Sequence, residues 1–144
     1  MPVLKLQLNS QLSPAEVLSV LTDFSSARST VWPGVDDEHL KVHEQGPGWA
    51  DVTEGNKTTW EGERYSWDAA AGTVTATTTD SNVWASGGGW VYRLTPNGTG
   101  STIDVTLTRH GKGLKGKAIE LLLPIVGAKM IKGQTAQVFE RVSG

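Results

Sequence analysis

The chain has no cysteine, three histidines and two methionines among 144 residues. It also has no apolar run approaching the roughly 18 residues that a membrane span needs. Without cysteine there is no disulfide framework and no thiolate nucleophile. His39, His43 and His110 lack the spacing of a helical zinc pair, so no metal is expected. Serines are plentiful, but no Gly-x-Ser-x-Gly elbow occurs. Gly87-Gly88-Gly89 has neither the lysine nor the strand-to-helix setting of a phosphate loop. Asp36-Asp37-Glu38 lacks the alternating ligands of a calcium loop and reads as a solvated acidic turn. No cofactor is expected. The first ten residues alternate apolar and polar rather than forming a basic leader and an apolar stretch, which predicts a cytoplasmic protein.

What is present fits one domain over residues 1–144. The net charge of −2 gives no reason to expect nucleic acid, but the charge is unevenly spread. From Arg109 onward there are seven basic and two acidic residues, so the last segment is basic and the remainder acidic. A solvated helix face explains this; attraction to an anionic ligand or lipid surface is the sharper reading.

Val3 to Asn9 alternates as a half-buried strand. Ser13-Pro14-Ala15-Glu16 is a capping box with proline at the first helical position, and it opens a short helix ending near Asp23. A second helix is predicted from Phe24 to Thr30, stopped by Trp32-Pro33-Gly34-Val35. Strands are predicted over Leu40–Gln45, Trp49–Glu54, Thr58–Asp68, Thr73–Asp80, Ser86–Leu94 and Ser101–His110, joined by tight turns as an antiparallel meander. After Gly111 the period changes. Leu114, Ala118, Leu121, Ile125, Ala128, Thr135, Phe139 and Val142 predict one long amphipathic helix, widened by Leu122, Val126 and Met130 and bent near Pro124.

One helix on a short sheet covers one face, so the sheet must curl, with Gly87 to Gly89 or Gly62 as candidate kinks. Six tryptophans fall in the strand and turn region. Beneath a helix, such rings either fill the core or line a cavity. Arg109 shares the phase of Ile103, Val105 and Leu107, so it is predicted to point inward and to need a carboxylate such as Glu61 or Glu63, or a ligand.

The element order, together with Ser13-Pro14-Ala15-Glu16-Val17, Trp32-Pro33-Gly34-Val35 and Glu63-Arg64-Tyr65-Ser66-Trp67-Asp68, resembles the START/Bet v1-like (SRPBCC) superfamily over nearly the whole chain. The nearest likeness is to small bacterial polyketide cyclase/dehydrase-like and lipid-transport-like proteins. The resemblance implies an α+β helix-grip fold of order β-α-α-β6-α, with about seven antiparallel strands wrapped round a C-terminal helix. It also implies an apolar cavity between sheet and helix. The expected partner is then a small apolar or aromatic molecule, lipid- or polyketide-like, bound by a monomer or homodimer without membrane insertion. The predicted ligand-binding residues are Trp32, Tyr65, Trp67, Trp90, Tyr92, Val105, Leu107, Arg109, Leu122, Val126 and Met130. No catalytic motif is matched, although Tyr65, Tyr92 or Glu63 could transfer a proton. Two other readings stay open: a cyclase/dehydratase-like enzyme using the same cavity, and a regulatory or lipid-surface module using the basic helix.

Overall fold

A computed structural model describes residues 3–143, apart from the side chains of residues 126, 128 and 143. Strand β1 (Val3–Ser10) is followed by helices α1 (Pro14–Leu21) and α2 (Ala27–Val31) and a short 3-10 turn (Asp37–His39). Strands β2 (Lys41–Gly46), β3 (Trp49–Gly55), β4 (Trp60–Asp68), β5 (Thr73–Ser81), β6 (Gly89–Asn97) and β7 (Gly100–Thr108) come next. They form one antiparallel sheet of order β1-β7-β6-β5-β4-β3-β2. A single helical run closes the chain: α3 (Gly113–Leu122), a π-helical turn (Leu123–Gly127) and α4 (Ala128–Ser143). This is the helix-grip arrangement.

Local chemistry sets the element ends. At α1 the Ser13 hydroxyl accepts from the Glu16 N–H while the Glu16 carboxylate accepts from the Ser13 N–H, so both halves of the capping box form. Strand β6 starts later than predicted, at Gly89, because the preceding glycines belong to the turn: the Thr78 N–H reaches the Gly88 carbonyl and the Gly87 N–H returns to Thr78. A side chain at Gly89 is impossible, since a Cβ there would lie 2.0 Å from the Ala76 carbonyl oxygen. Pro96 stays within β6, beyond the predicted strand end. The Leu94 N–H points to the β5 side, and the Pro96 nitrogen has the same parity. Pairing with β5 stops at Arg93, so no ladder bond is lost there.

Every strand from β3 to β7 turns alternate residues to the concave face. At one end of that face Ala50, Val74, Leu94, Ile103 and Leu8 form the main core with Val17 and Leu21 of α1 and Val138 and Phe139 of α4. At the other end the same phase carries Glu54, Glu61, Glu63 and Thr78, all buried. A bulge separates the two pairings of β4. Glu63 pairs with Thr78 and Gly62 with Asp80, leaving Thr79 as the extra residue.

The helix departs from expectation in its first half. Leu114 and Ile125 are 91% and 78% exposed, and Leu121 is exposed as well. Gly116, Leu123, Gly127, Ile131, Thr135 and Val138 face inward instead. The π turn is the cause. A π turn carries about one residue more than an α turn, which rotates the face that follows by about 100°. The stripe read from the sequence therefore points to solvent from Leu114 to Ile125 and reaches the core at Thr135 and Phe139. Gly116 is where α3 meets the protein most closely, because a Cβ there would lie 2.2 Å from the Val83 carbonyl oxygen.

Candidate functional site

The polar end of the concave face opens into a cavity of about 240 Å³. Four of the six tryptophans line it: Trp32, Trp60, Trp84 and Trp90. The Trp32–Val35 loop, Gly55 and Thr59 form its rim, and Ile131, Gln134, Thr135 and Val138 of α4 roof it. Its floor holds three glutamates and two arginines. Buried charges persist only when paired, and the pairing is unequal.

Arg28 of α2 spends all five of its N–H donors within the protein. Its Nε and Nη2 reach the two oxygens of Glu54 at 3.3 Å each. Nη1 donates to the carbonyls of Leu21 and Asp23 at 3.2 and 2.9 Å, and Nη2 also donates to the Tyr65 hydroxyl at 2.9 Å. That hydroxyl in turn donates to Glu54 Oε2 at 3.0 Å. The guanidinium lies 4.7 Å from the Phe24 ring centroid and 5.1 Å from that of Trp32. No donor in this cluster is left for a ligand.

Arg109, just beyond β7, grips Glu61 in a fork: Nη1 bonds Oε2 and Nη2 bonds Oε1, the latter at 3.0 Å. Nη1 also donates to the Thr78 hydroxyl at 3.2 Å, and that hydroxyl donates to Glu61 Oε2. Nε and the second Nη2 hydrogen have no acceptor among the described residues. Trp84 and Trp90 flank the guanidinium, with ring centroids 4.9 and 5.3 Å away. Trp84 is held there by backbone bridging to Gly111.

Glu63 sits between these pairs, 3% exposed, and its Oε2 has no hydrogen-bond partner among the described residues. Burial pushes its carboxyl well above the ordinary glutamate range, and the charges of Glu61 and Glu54 push it the same way, while Arg109 and Arg28 oppose them. It therefore keeps its proton at pH values where an exposed glutamate has lost it. Burial also raises the phenols of Tyr65 and Tyr92, which stay protonated. Tyr92 stacks on Trp90 with ring centroids 6.1 Å apart.

Of the predicted ligand-binding residues, Trp32, Tyr65, Trp90, Tyr92 and Arg109 line this cavity. Trp67 does not: it packs against the main core, 6.5 Å from Phe24. Val105 and Leu107 are fully packed core residues rather than wall, because β7 lies deep under the helix beside β1. Leu122 and Met130 are more than half exposed, because their neighbours Leu123 and Ile131 take the inward positions. The Val126 side chain lies outside the described residues. The helix residues that do reach the cavity, Ile131, Gln134, Thr135 and Val138, lie farther along the chain than Leu122 and Met130.

Arg28, Glu54 and Trp84 were not anticipated as site residues. Glu54 had a readable signal, since it follows Ala50 and Val52 at a two-residue spacing on the core phase of β3. Arg28 had none; a lone arginine in a five-residue helix is ordinary surface until tertiary contacts bury it. Among the described residues no group of acids and histidines could hold a metal ion, and no helix is long and apolar enough to cross a membrane.

Comparison with known proteins agrees with this geometry. A family profile described as polyketide cyclase / dehydrase and lipid transport matches residues 4–142. None of the curated proteins compared matches the sequence. Among solved structures, the Zhui aromatase/cyclase from Streptomyces sp. R1128 superposes with a TM-score of 0.75 at 14% identity, covering 96% of this chain and 92% of its own. A START superfamily protein from Mycobacterium smegmatis gives 0.73 at 11%, covering 98% and 97%. Norcoclaurine synthase from Thalictrum flavum, solved with dopamine and hydroxybenzaldehyde, gives 0.70 at 11%, covering 98% and 86%. At such identities the structures establish the fold, and the profile establishes the kinship: the chain belongs to the polyketide cyclase/dehydrase and lipid transport family.

Proposed function

We propose that the protein binds one small, largely aromatic molecule in the cavity between the sheet and α4. The observation that carries this reading is the cavity itself, walled by four tryptophans over a floor of paired charges. A plain core would have no use for five ionisable side chains, whose desolvation costs several kcal/mol each before pairing (about that order). Size narrows the occupant. Drug-sized ligands occupy roughly 300–1,000 Å³, so a cavity of about 240 Å³ suits one or two fused rings rather than an extended chain. The test is a fluorescence titration with naphthalene, read through the lining tryptophans, beside mass spectrometry of whatever small molecule is extracted from the purified protein. Saturable one-site quenching that Trp90→Leu weakens is expected. Linear, non-saturating quenching would overturn the reading.

The enzyme reading is favoured by a separate observation, the protonated and unpartnered carboxyl of Glu63 inside an aromatic cavity. A neutral acid so placed can protonate a developing alkoxide as a ring closes or water leaves. A reactive poly-ketone analogue should then cyclise faster with the protein than in buffer, and Glu63→Gln should remove the acceleration. Equal rates over several chain lengths would dismiss catalysis and leave binding intact.

A further inference from the structure

The binding reading above says that a small aromatic molecule enters; the polar floor says more about it. Hydrogen-bonding capacity there is lopsided. The carboxylates of Glu54 and Glu61 already accept three hydrogen bonds each, leaving at most one lone-pair site on Oε1 of either. Two N–H of Arg109 and the hydroxyl of Tyr92 find no acceptor among the described residues, and beside them lies the Glu63 carboxyl with its Oε2 unpartnered. The charge is also complete. Two guanidinium groups face two carboxylates, and a neutral Glu63 adds nothing. A ligand bringing a full charge would enter a buried site with no counter-ion for it, at a cost that desolvation makes large.

We infer that Arg109 and Glu63 form an oxygen-reading corner that selects an uncharged aromatic ketone, taking its carbonyl oxygen as acceptor and rejecting aromatic amines and carboxylates of the same size. This rests on the ligand-binding reading of the cavity. Arg28, though equally cationic and equally close, takes no part, because its donors are spent.

Three probes of one ring size test this: 2-acetylnaphthalene, 2-naphthylmethylamine and 2-naphthoate, with naphthalene as the reference, titrated against the intact protein by tryptophan quenching and calorimetry. The ketone should bind at least tenfold more tightly than naphthalene, and the amine and the carboxylate more weakly than the ketone. Glu63→Leu should lower ketone affinity about tenfold and leave naphthalene unchanged. Glu63→Gln keeps an N–H donor and should lie within about threefold of the parent. Ketone affinity should fall as rising pH ionises Glu63, and Glu63→Gln should abolish that fall. The groups that face Glu63 and set this titration are Glu54 of β3, Glu61 and Tyr65 of β4, Tyr92 of β6, Arg28 of α2 and Arg109. α4 contributes Ile131, Gln134, Thr135 and Val138 to the cavity, none of them titratable.

Naphthalene and ketone binding equally would overturn the oxygen-reading corner while leaving the cavity as a binding site. An amine that binds best, and loses its affinity in Glu63→Gln, would overturn it too, by showing Glu63 acting as an anion. No saturable binding by any of the probes would overturn both readings together.

Discussion

The two buried ion pairs look equivalent in composition and differ in what they leave open. Arg28–Glu54 is tied to α2, to the carbonyls after α1 and to Tyr65, so it joins three elements and spends every donor. Arg109–Glu61 is tied only to Thr78 and lies between two indoles at the cavity. The first pair anchors a helix to a sheet. The second holds a cation in place while leaving part of it unsatisfied. A buried charge therefore indicates a ligand site only after its donors have been counted; burial and charge alone would have picked Arg28.

The largest expected effect separates the pairs by stability. Arg28→Met leaves Glu54 buried without a cation and breaks the α2 anchor, which should cost about 3–5 kcal/mol in urea unfolding. Arg109→Met should cost less, about 2–3 kcal/mol, because Arg109 bonds only Glu61 and Thr78 and ties down no helix or backbone carbonyl. Equal losses would show that both arginines are purely structural.

The next effect concerns Glu63, between the pairs. Its pKa is raised on folding, so above the unfolded value near 4.5 the folded state holds a proton that the unfolded state has released. Stability should then fall as pH rises from there toward the folded pKa, by up to about 1.4 kcal/mol per pH unit. Glu63→Gln should flatten that slope and be the more stable protein at neutral pH. Parallel curves for parent and variant, from unfolding midpoints across pH, would contradict a neutral Glu63.

The smallest effect is Thr78→Val. It removes one donor to Glu61 and one acceptor from Arg109, at about 1–2 kcal/mol. By releasing a third N–H of Arg109 it should also strengthen ketone binding relative to naphthalene in the same titration. A weakened ketone preference would mean that Thr78 orients Arg109 rather than competing for it.

Much of the architecture was legible beforehand. Period-two alternation located all seven strands to within a few residues, and the capping box located α1, since both are written in adjacent residues. Five of the eleven predicted ligand-binding residues line the cavity: Tyr65, Trp90 and Tyr92 on strands, Arg109 just beyond β7 and Trp32 in the loop after α2. Of those that miss the cavity, Trp67, Val105 and Leu107 lie on strands and pack into the core, while Leu122 and Met130 lie on the long helix and are exposed. The apolar stripe of the helix assigned Leu122 and Met130 to the interior, but Leu123, Gly127 and Ile131 take the inward positions and leave both exposed.

What the sequence determined by itself, then, was the sheet, its turns, the first helix and the inward phase of Glu61, Glu63 and Arg109, because short-range periodicity and local hydrogen bonds suffice for these. Tertiary structure decided which half of the long helix is buried, which arginine has donors to spare and whether Glu63 keeps its proton. Each of those depends on elements brought together by the fold: Leu4 of β1 closing on Gly127, Glu54 of β3 and Tyr65 of β4 taking up Arg28, and burial, with the charges of Glu61 and Glu54, raising Glu63.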